Sequence, residues 1–264
     1  MKCSFASANT GDGFFNCFDS IGSADGFQYI LKGPSGCGKS TLMRRVADHF
    51  TAKGCTIEYF HCSSDPSSLD GVRIVEADVS IVDGTAPHVT EALMPMITHA
   101  LVDLGVSVRS EAKAVKAEIA AQMALKKNAY IKVYDCLAQA KKMMDNDGFA
   151  APATGRRLFL SSPEADLTEM NGFSAVLPYT GQRGEVVVLN SIDPGRIDGV
   201  IDANVYYKVN RSYPDATLQL VCCAASFISE ARECHKRIED LYRPYIDFGT
   251  ISGMTEELIR KIEG

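Results

Sequence analysis

Hydrophobic and polar positions along this chain follow two rhythms. Residues 27–31, 56–60 and 77–84 are short apolar runs rich in β-branched and aromatic side chains, the pattern of buried strands. Between the first two, Leu42, Val46 and Phe50 fall four apart over residues 41–50, which predicts a helix with one apolar face. A run at 3–7 predicts a short first strand, and the Gly-rich stretch 9–26 has room for a short helix at 14–21. From Val106 to Asp147 no Gly or Pro occurs. Val115, Ile119 and Met123 share one helical face there, and so do Tyr130, Tyr134 and Leu137. This predicts one long helix or a helical hairpin, either a lid or partner-binding arm standing out from a sheet or a helix packed along its own protein. Further on, residues 217–223 read as a strand containing Cys222 and Cys223. An amphipathic helix follows at 228–242, stopped by Pro244, and a last helix at 255–262 takes Thr255 as its N-cap. Strands alternating with helices predict an α/β fold with a mostly parallel sheet.

The junction of the strand at 27–31 and the helix at 41–50 carries the strongest chemical signal. It reads Gly33-Pro34-Ser35-Gly36-Cys37-Gly38-Lys39-Ser40-Thr41, which fits Gly-x-x-x-x-Gly-Lys-[Ser/Thr], the phosphate-binding P-loop. Backbone N–H groups can wrap a β,γ-phosphate only where Cβ atoms are absent, hence Gly33, Gly36 and Gly38. Lys39 supplies a positive charge, the Ser40 hydroxyl is a Mg²⁺ ligand, and the helix N-terminus is aimed at the anion. Ser35, Cys37 and Thr41 complete the cradle, and alkylation of Cys37 should block it. Strand, glycine loop and helix are in the order the motif requires.

The run Val79-Ser80-Ile81-Val82-Asp83 ends in a carboxylate, as a Walker B strand does, with Asp83 as a second Mg²⁺ ligand. Gly84 follows it where many motor ATPases carry a water-activating Glu. Hydrolysis would then draw on another base, and Asp65, Asp70 and His88 are the candidates. Asp65 and Asp70 lie in the polar stretch 61–71 after the strand at 56–60. His88 is a core or capping residue, or else a group near the γ-phosphate.

An internal echo divides the chain. Asp65-Pro66-x-x-Leu69-Asp70-Gly71-Val72 returns as Asp193-Pro194-x-x-Ile197-Asp198-Gly199-Val200, with apolar runs before each copy. Where a second glycine loop should recur, residues 178–184 contain no Gly-Lys-Ser, so the second copy keeps its strands and loses its phosphate site. The expected units are a P-loop NTPase core at 1–105, a helical insertion at 106–150 and a degenerate second repeat at 151–264.

Composition narrows the partners. The 264 residues are 46% hydrophobic, enough for a substantial core, and the net charge of −6 argues against general nucleic-acid binding. The basic pairs Arg44-Arg45, Lys126-Lys127, Lys141-Lys142 and Arg156-Arg157 are scattered and read as solvated faces. No apolar run approaches a membrane span and no apolar leader core is visible. Nine cysteines without Cys-x-x-Cys or Cys/His ligand spacing read as reduced thiols, Cys222 and Cys223 as strand residues, and the location as cytoplasmic.

At Gly33 to Thr41, His61-Cys62-Ser63-Ser64-Asp65-Pro66 and Ile81-Val82-Asp83-Gly84-Thr85-Ala86-Pro87-His88 the chain resembles a family of bacterial two-repeat P-loop proteins described as predicted ATPases or nucleotide kinases. The Ala129-Tyr130 helix and the Ile246-Asp247-Phe248 region share the likeness. The resemblance implies the fold and ATP, not a reaction; its members commonly carry a P-loop in each repeat, and this chain departs there. The expectation is an ATP- and Mg²⁺-binding NTPase that hydrolyses slowly. The alternatives are a phosphotransferase acting on a small molecule or nucleotide, and a non-catalytic nucleotide-gated switch that binds a protein partner.

Overall fold

A computed structural model describes residues 2–146 and 215–264, apart from positions 12, 17, 19, 20, 22, 24, 63 and 66. The second copy of the internal echo lies outside these residues. The described residues hold eight strands: β1 (Lys2–Phe5), β2 (Ser7–Thr10), β3 (Gly13–Asn16), β4 (Phe27–Lys32), β5 (Ile57–His61), β6 (Leu69–Ile74), β7 (Val79–Asp83) and β8 (His99–Asp103). Helix α1 (Lys39–Ala52) joins β4 to β5. Helix α2 (Lys116–Asn146), α3 (Asp215–Tyr242) and α4 (Phe248–Glu263) follow the strands. Six strands form an open sheet in the order β1-β5-β6-β7-β4-β8. All of them run parallel except β6, which is antiparallel to both its neighbours, so the fold is α/β with a mixed sheet.

The sheet explains the apolar runs. In β4 the four middle residues are buried, as expected of a strand covered on both faces. Tyr29 and Leu31 point to one face, where Leu42, Met43, Val46 and Phe50 of α1 pack with Val72, Ile74 and Ile81. Ile30 points to the other, against Ala6, Phe18, Ile21 and Val82. The first of these cores is completed from the far end of the chain, by Ile251, Leu258 and Ile259 of α4.

Several sequence expectations need correction. Residues 14–16, expected in a short helix, belong to β3, which pairs with β2 as an antiparallel hairpin; pairing with residues 7–10 satisfies their backbone groups in place of helical bonds. Asp70 and Gly71, expected in a loop, lie in β6, because the antiparallel return needs only the short turn 62–68. The edge strand β8 was not foreseen: its residues are half-exposed and lack the continuous apolar signal of a buried strand. The strand expected at 217–223 is the first part of α3, so Cys222 and Cys223 are helical. Its Thr, Leu and Val residues suit a strand alone, but tertiary packing overrides that propensity.

α2 and α3 pack along each other as a hairpin whose partners are about 100 residues apart. Ala129, Val133, Leu137 and Ala140 meet Ala224, Ile228, Ala231 and Ile238, all buried, and the alanines allow close approach. The long helix thus packs along its own protein. It begins at Lys116 because residues 104–107 and 110–115 form 3₁₀ turns. The hairpin's base is tied by Arg109 N–H to Tyr245 O (2.9 Å) and Asp247 N–H to Ser107 O (2.9 Å).

α4 starts earlier than its apolar pattern indicated. Thr255 is mid-helix and buried, with its hydroxyl donating to Ile251 O; the cap is Asp247, whose carboxylate accepts from Gly249 N–H and Thr250 N–H. Bonding to the Thr250 hydroxyl and these amides holds the Asp247 carboxyl below the usual range. A depressed carboxyl contributes stability above its unfolded pKa of about 3.9 and loses it as pH falls through the folded value. Asp247→Ala is therefore expected to lower Tm at pH 7, with the gap to wild type narrowing in melts as pH falls below the ordinary carboxylate range.

Candidate functional site

The parallel strands β4, β5 and β7 end at one edge of the sheet, and the antiparallel β6 begins there. Ligands of open α/β sheets bind outside this edge. The glycine loop 33–38, the turn 62–68 and the turn after Asp83 therefore converge.

Gly36 and Gly38 have φ of 76° and 91°, a left-handed backbone that other residues rarely adopt. Gly38 is the N-cap of α1 and no side chain caps that end, so the first N–H groups of the helix have no side-chain acceptor. Lys39 folds back over the loop, its Nζ donating to Gly33 O (2.9 Å) and Pro34 O (3.0 Å). Asp83 Oδ2 lies 3.7 Å from the same Nζ, both side chains being largely buried. Register brings this about: Asp83 is the partner of Leu31 on adjacent parallel strands, two residues before the loop begins. Asp83 Oδ1 accepts from Thr85 N–H (2.8 Å), and the Thr85 hydroxyl donates to Gly33 O (3.1 Å). Ser40 Oγ accepts from Leu69 N–H (3.0 Å), which leaves a second lone pair.

Gly33, Ser35, Gly36, Gly38, Lys39, Ser40, Thr41 and Asp83 thus come together. Cys37 departs from expectation: it is fully buried, its Sγ packed 2.8 Å from where a Gly33 Cβ would stand, and burial pushes its thiol up. It faces the core, out of reach of a thiol reagent in the folded chain. Asp65 is held elsewhere. Its Oδ1 accepts from Ser67 N–H (3.1 Å) and pairs with Arg232 of α3 (3.1 Å). His88 is buried against Phe14 and Phe18, with Nε2 3.6 Å from Asp70 Oδ1. Asp70 is buried too and accepts from the Ser7 hydroxyl (3.2 Å). Burial pushes its carboxyl up, while the His88 imidazole pulls it down.

The hairpin reaches the same edge, which the sequence did not announce. Glu239 of α3 covers Gly36 so closely that a Cβ there would stand 3.0 Å from the Glu239 Cβ. Lys126 of α2, read as a solvated lysine, is half-buried and bonds His235 Nδ1 (2.8 Å). Burial lowers its pKa, and the charges of Cys62, Glu239, Lys39 and Asp83 all act on it. The Tyr130 hydroxyl donates to Ser64 Oγ (2.9 Å) and that of Tyr134 to Asn9 Oδ1 (3.1 Å); burial pushes the Tyr130 phenol up to about 12. The stacked Tyr130–Tyr134 pair was visible as one helical face, but its partners came from non-local packing.

A groove of about 200 Å³ opens beside Gly38 and Thr41, between α1 and α4, lined also by Arg45, Phe248, Ile251 and Ser252. Phe248 is 46% exposed.

A family model described as nephrocystin 3, N-terminal, matches residues 16–137. The match runs from the end of β3 into α2. It contains the glycine loop and Asp83, and it stops before both the second-repeat residues and α3. No curated protein and no solved structure matches the chain. None of these findings supports a bacterial two-repeat kinase. No helix among the described residues is long and apolar enough to cross a membrane.

Proposed function

We propose that the chain is a P-loop NTPase that binds ATP with Mg²⁺ at the glycine loop and hydrolyses it slowly, and that it is kin to the bacterial two-repeat proteins it resembles. The observation that carries this reading is the meeting of Lys39 with Asp83, 3.7 Å apart, at the mouth of a loop with two positive-φ glycines. A cation at the first residue of α1 and a carboxylate at the end of β7, beside an uncapped helix N-terminus, fit a phosphate and its metal. The loop amides and Lys39 would hold the phosphates; Ser40 and Asp83 would hold Mg²⁺. Bound there, Mg²⁺ would neutralise charge on the phosphates.

The placement of the two aspartates fits slow turnover. Asp65 is engaged by Arg232 and Asp70 is buried in β6, so neither presents a base to an acceptor hydroxyl. The switch reading draws on a different contact. Because Glu239 lies against Gly36, occupancy of the loop would be felt by α3 and through it by the whole hairpin.

The test is ADP release from ATP and Mg²⁺, with and without pooled nucleosides and metabolites. Slow turnover independent of acceptor is the expected result. Turnover that requires an acceptor would replace the reading with a kinase, and tight binding without turnover would replace it with a switch. The groove beside Thr41 is the place for the base, stacked on Phe248. Phe248→Ala is expected to weaken ATP about tenfold, a stacking loss near the low end of 1–3 kcal/mol. The affinity for inorganic tripolyphosphate, measured by competition, should stay unchanged.

A further inference from the structure

We propose that Cys62, Asp70 and His88 form a binding site for one divalent transition metal of the zinc class, separate from the nucleotide's Mg²⁺. Cys62 follows β5, Asp70 lies in β6, and His88 sits in the turn after β7. Because β6 runs against its two neighbours, its first residues meet the last residues of β5 and β7, and three distant residues converge. One donor atom from each lies within 4.8 Å of the others.

One hydrogen bond joins two members of the set, the Cys62 thiol donating to the Asp70 carboxylate, and His88 stands outside it. Asp70 and His88 are 3% and 8% exposed, and a buried carboxylate needs compensation. The imidazole Nε2 stays 3.6 Å from Asp70 Oδ1, beyond hydrogen-bond length, and the buried His88 Nδ1 has no hydrogen-bond partner. Phe14 and Phe18 fix the ring with centroids 5.1 and 5.3 Å away. The Ser7 hydroxyl donates to Asp70 Oδ2 and orients the carboxylate with Oδ1 toward His88; the Cys62 proton that the carboxylate also binds is the one lost when the thiol ionises on a metal.

Distances and donor types agree on the class of ion. Bonds of about 2.0–2.3 Å in tetrahedral geometry separate ligand atoms by roughly 3.3–3.7 Å. The Nε2–Oδ1 distance of 3.6 Å already matches, and the widest gap in the set needs about 1 Å of closure. One sulfur, one nitrogen and one oxygen suit Zn²⁺ or Co²⁺; Mg²⁺ and Ca²⁺ prefer oxygen alone. Binding takes Cys62 as thiolate, with its proton released to solvent, His88 as neutral imidazole and Asp70 as carboxylate. Three protein ligands leave a fourth position open, at the sheet edge shared with Lys39 and Asp83.

The test uses the full chain, stripped with a chelator and titrated with Co²⁺ in the absence of nucleotide. The expected result is one equivalent bound, with a thiolate-to-cobalt charge-transfer band and the visible bands of a tetrahedral ion, both bleached by Zn²⁺. Zn²⁺ X-ray absorption should show a single sulfur at about 2.3 Å. Cys62→Ser and His88→Ala, each checked for folding by circular dichroism, should lose the band. Cys55→Ser, which alters a thiol at the opposite end of β5, should keep it. Absence of a charge-transfer band, a band that survives Cys62→Ser, or a band that appears only with ATP would each overturn the site.

Discussion

Lys39→Ala is expected to reduce ATP affinity by about 10²–10⁴-fold while leaving the fold intact. The lysine Nζ donates to two loop carbonyls and stands 3.7 Å from Asp83, so its charge is already poised over the glycine loop. A phosphate would take over those hydrogen bonds. Each charge-assisted bond is worth roughly 1.5–3 kcal/mol, and two of them account for the predicted range. The apolar contacts of α1 are made by Leu42, Met43, Val46, Ala47 and Phe50, none of which the substitution touches, so the melting curve should change little. Lys39→Arg sharpens the experiment. A planar guanidinium does not reproduce three donors on a flexible stem, and partial recovery at most is expected. Calorimetric titration of MgATP into both variants measures this. An alanine variant that binds within threefold of wild type would remove the basis for placing phosphate at this loop.

The part of the site that could be read in advance is the part written contiguously. Gly33 to Thr41 lie in one stretch, and Asp83 ends a strand whose apolar run marks it as buried. The rest depends on contacts between residues far apart in sequence. Asp70 looked like a loop residue because turn formers surround it, and only the antiparallel pairing of β6 with β5 and β7 makes it a buried strand residue. Residues 217–223 carry strand-forming side chains, yet the seam of α2 supplies a helical partner and the segment follows it. Lys126 gives no sign in sequence that packing will desolvate it or that it will bond His235, more than a hundred residues away. Thr255 is a good cap in isolation, but Asp247 is about two turns closer to the 3₁₀ segment at Arg243–Tyr245 and has two amides to accept from. Local propensity therefore located β1, β4, β5 and β7, and packing decided the remaining strands, where helices begin and which polar groups are buried.

The same close packing explains why Gly84 follows Asp83. An alanine Cβ there would lie 2.3 Å from Ile30 Cγ2 and 3.2 Å from the Lys32 side chain. Ile30 cannot easily yield, since it is fully buried in β4 with Phe18, Ile21 and Val82 around it. Gly84 is also anchored, its N–H donating to Leu31 O (2.9 Å) and its carbonyl accepting from Lys32 Nζ. Gly84→Ala is therefore expected to cost about 3 kcal/mol, the upper end for overpacking, and to lower Tm by roughly 5–10 °C. No positive φ is involved at this position, so the cost is steric and not a backbone penalty. A double-mutant cycle separates this clash from any general weakening. Ile30→Ala removes the Cγ2 and should make Gly84→Ala nearly free in that background, a coupling of 2 kcal/mol or more by the range typical of contacting residues, about 0.5–3 kcal/mol. Ile30→Val keeps Cγ2 and should relieve nothing. Equal costs of Gly84→Ala in all three backgrounds would mean that the glycine is required for some reason other than its approach to β4, and that Asp83 is not held in place by this contact.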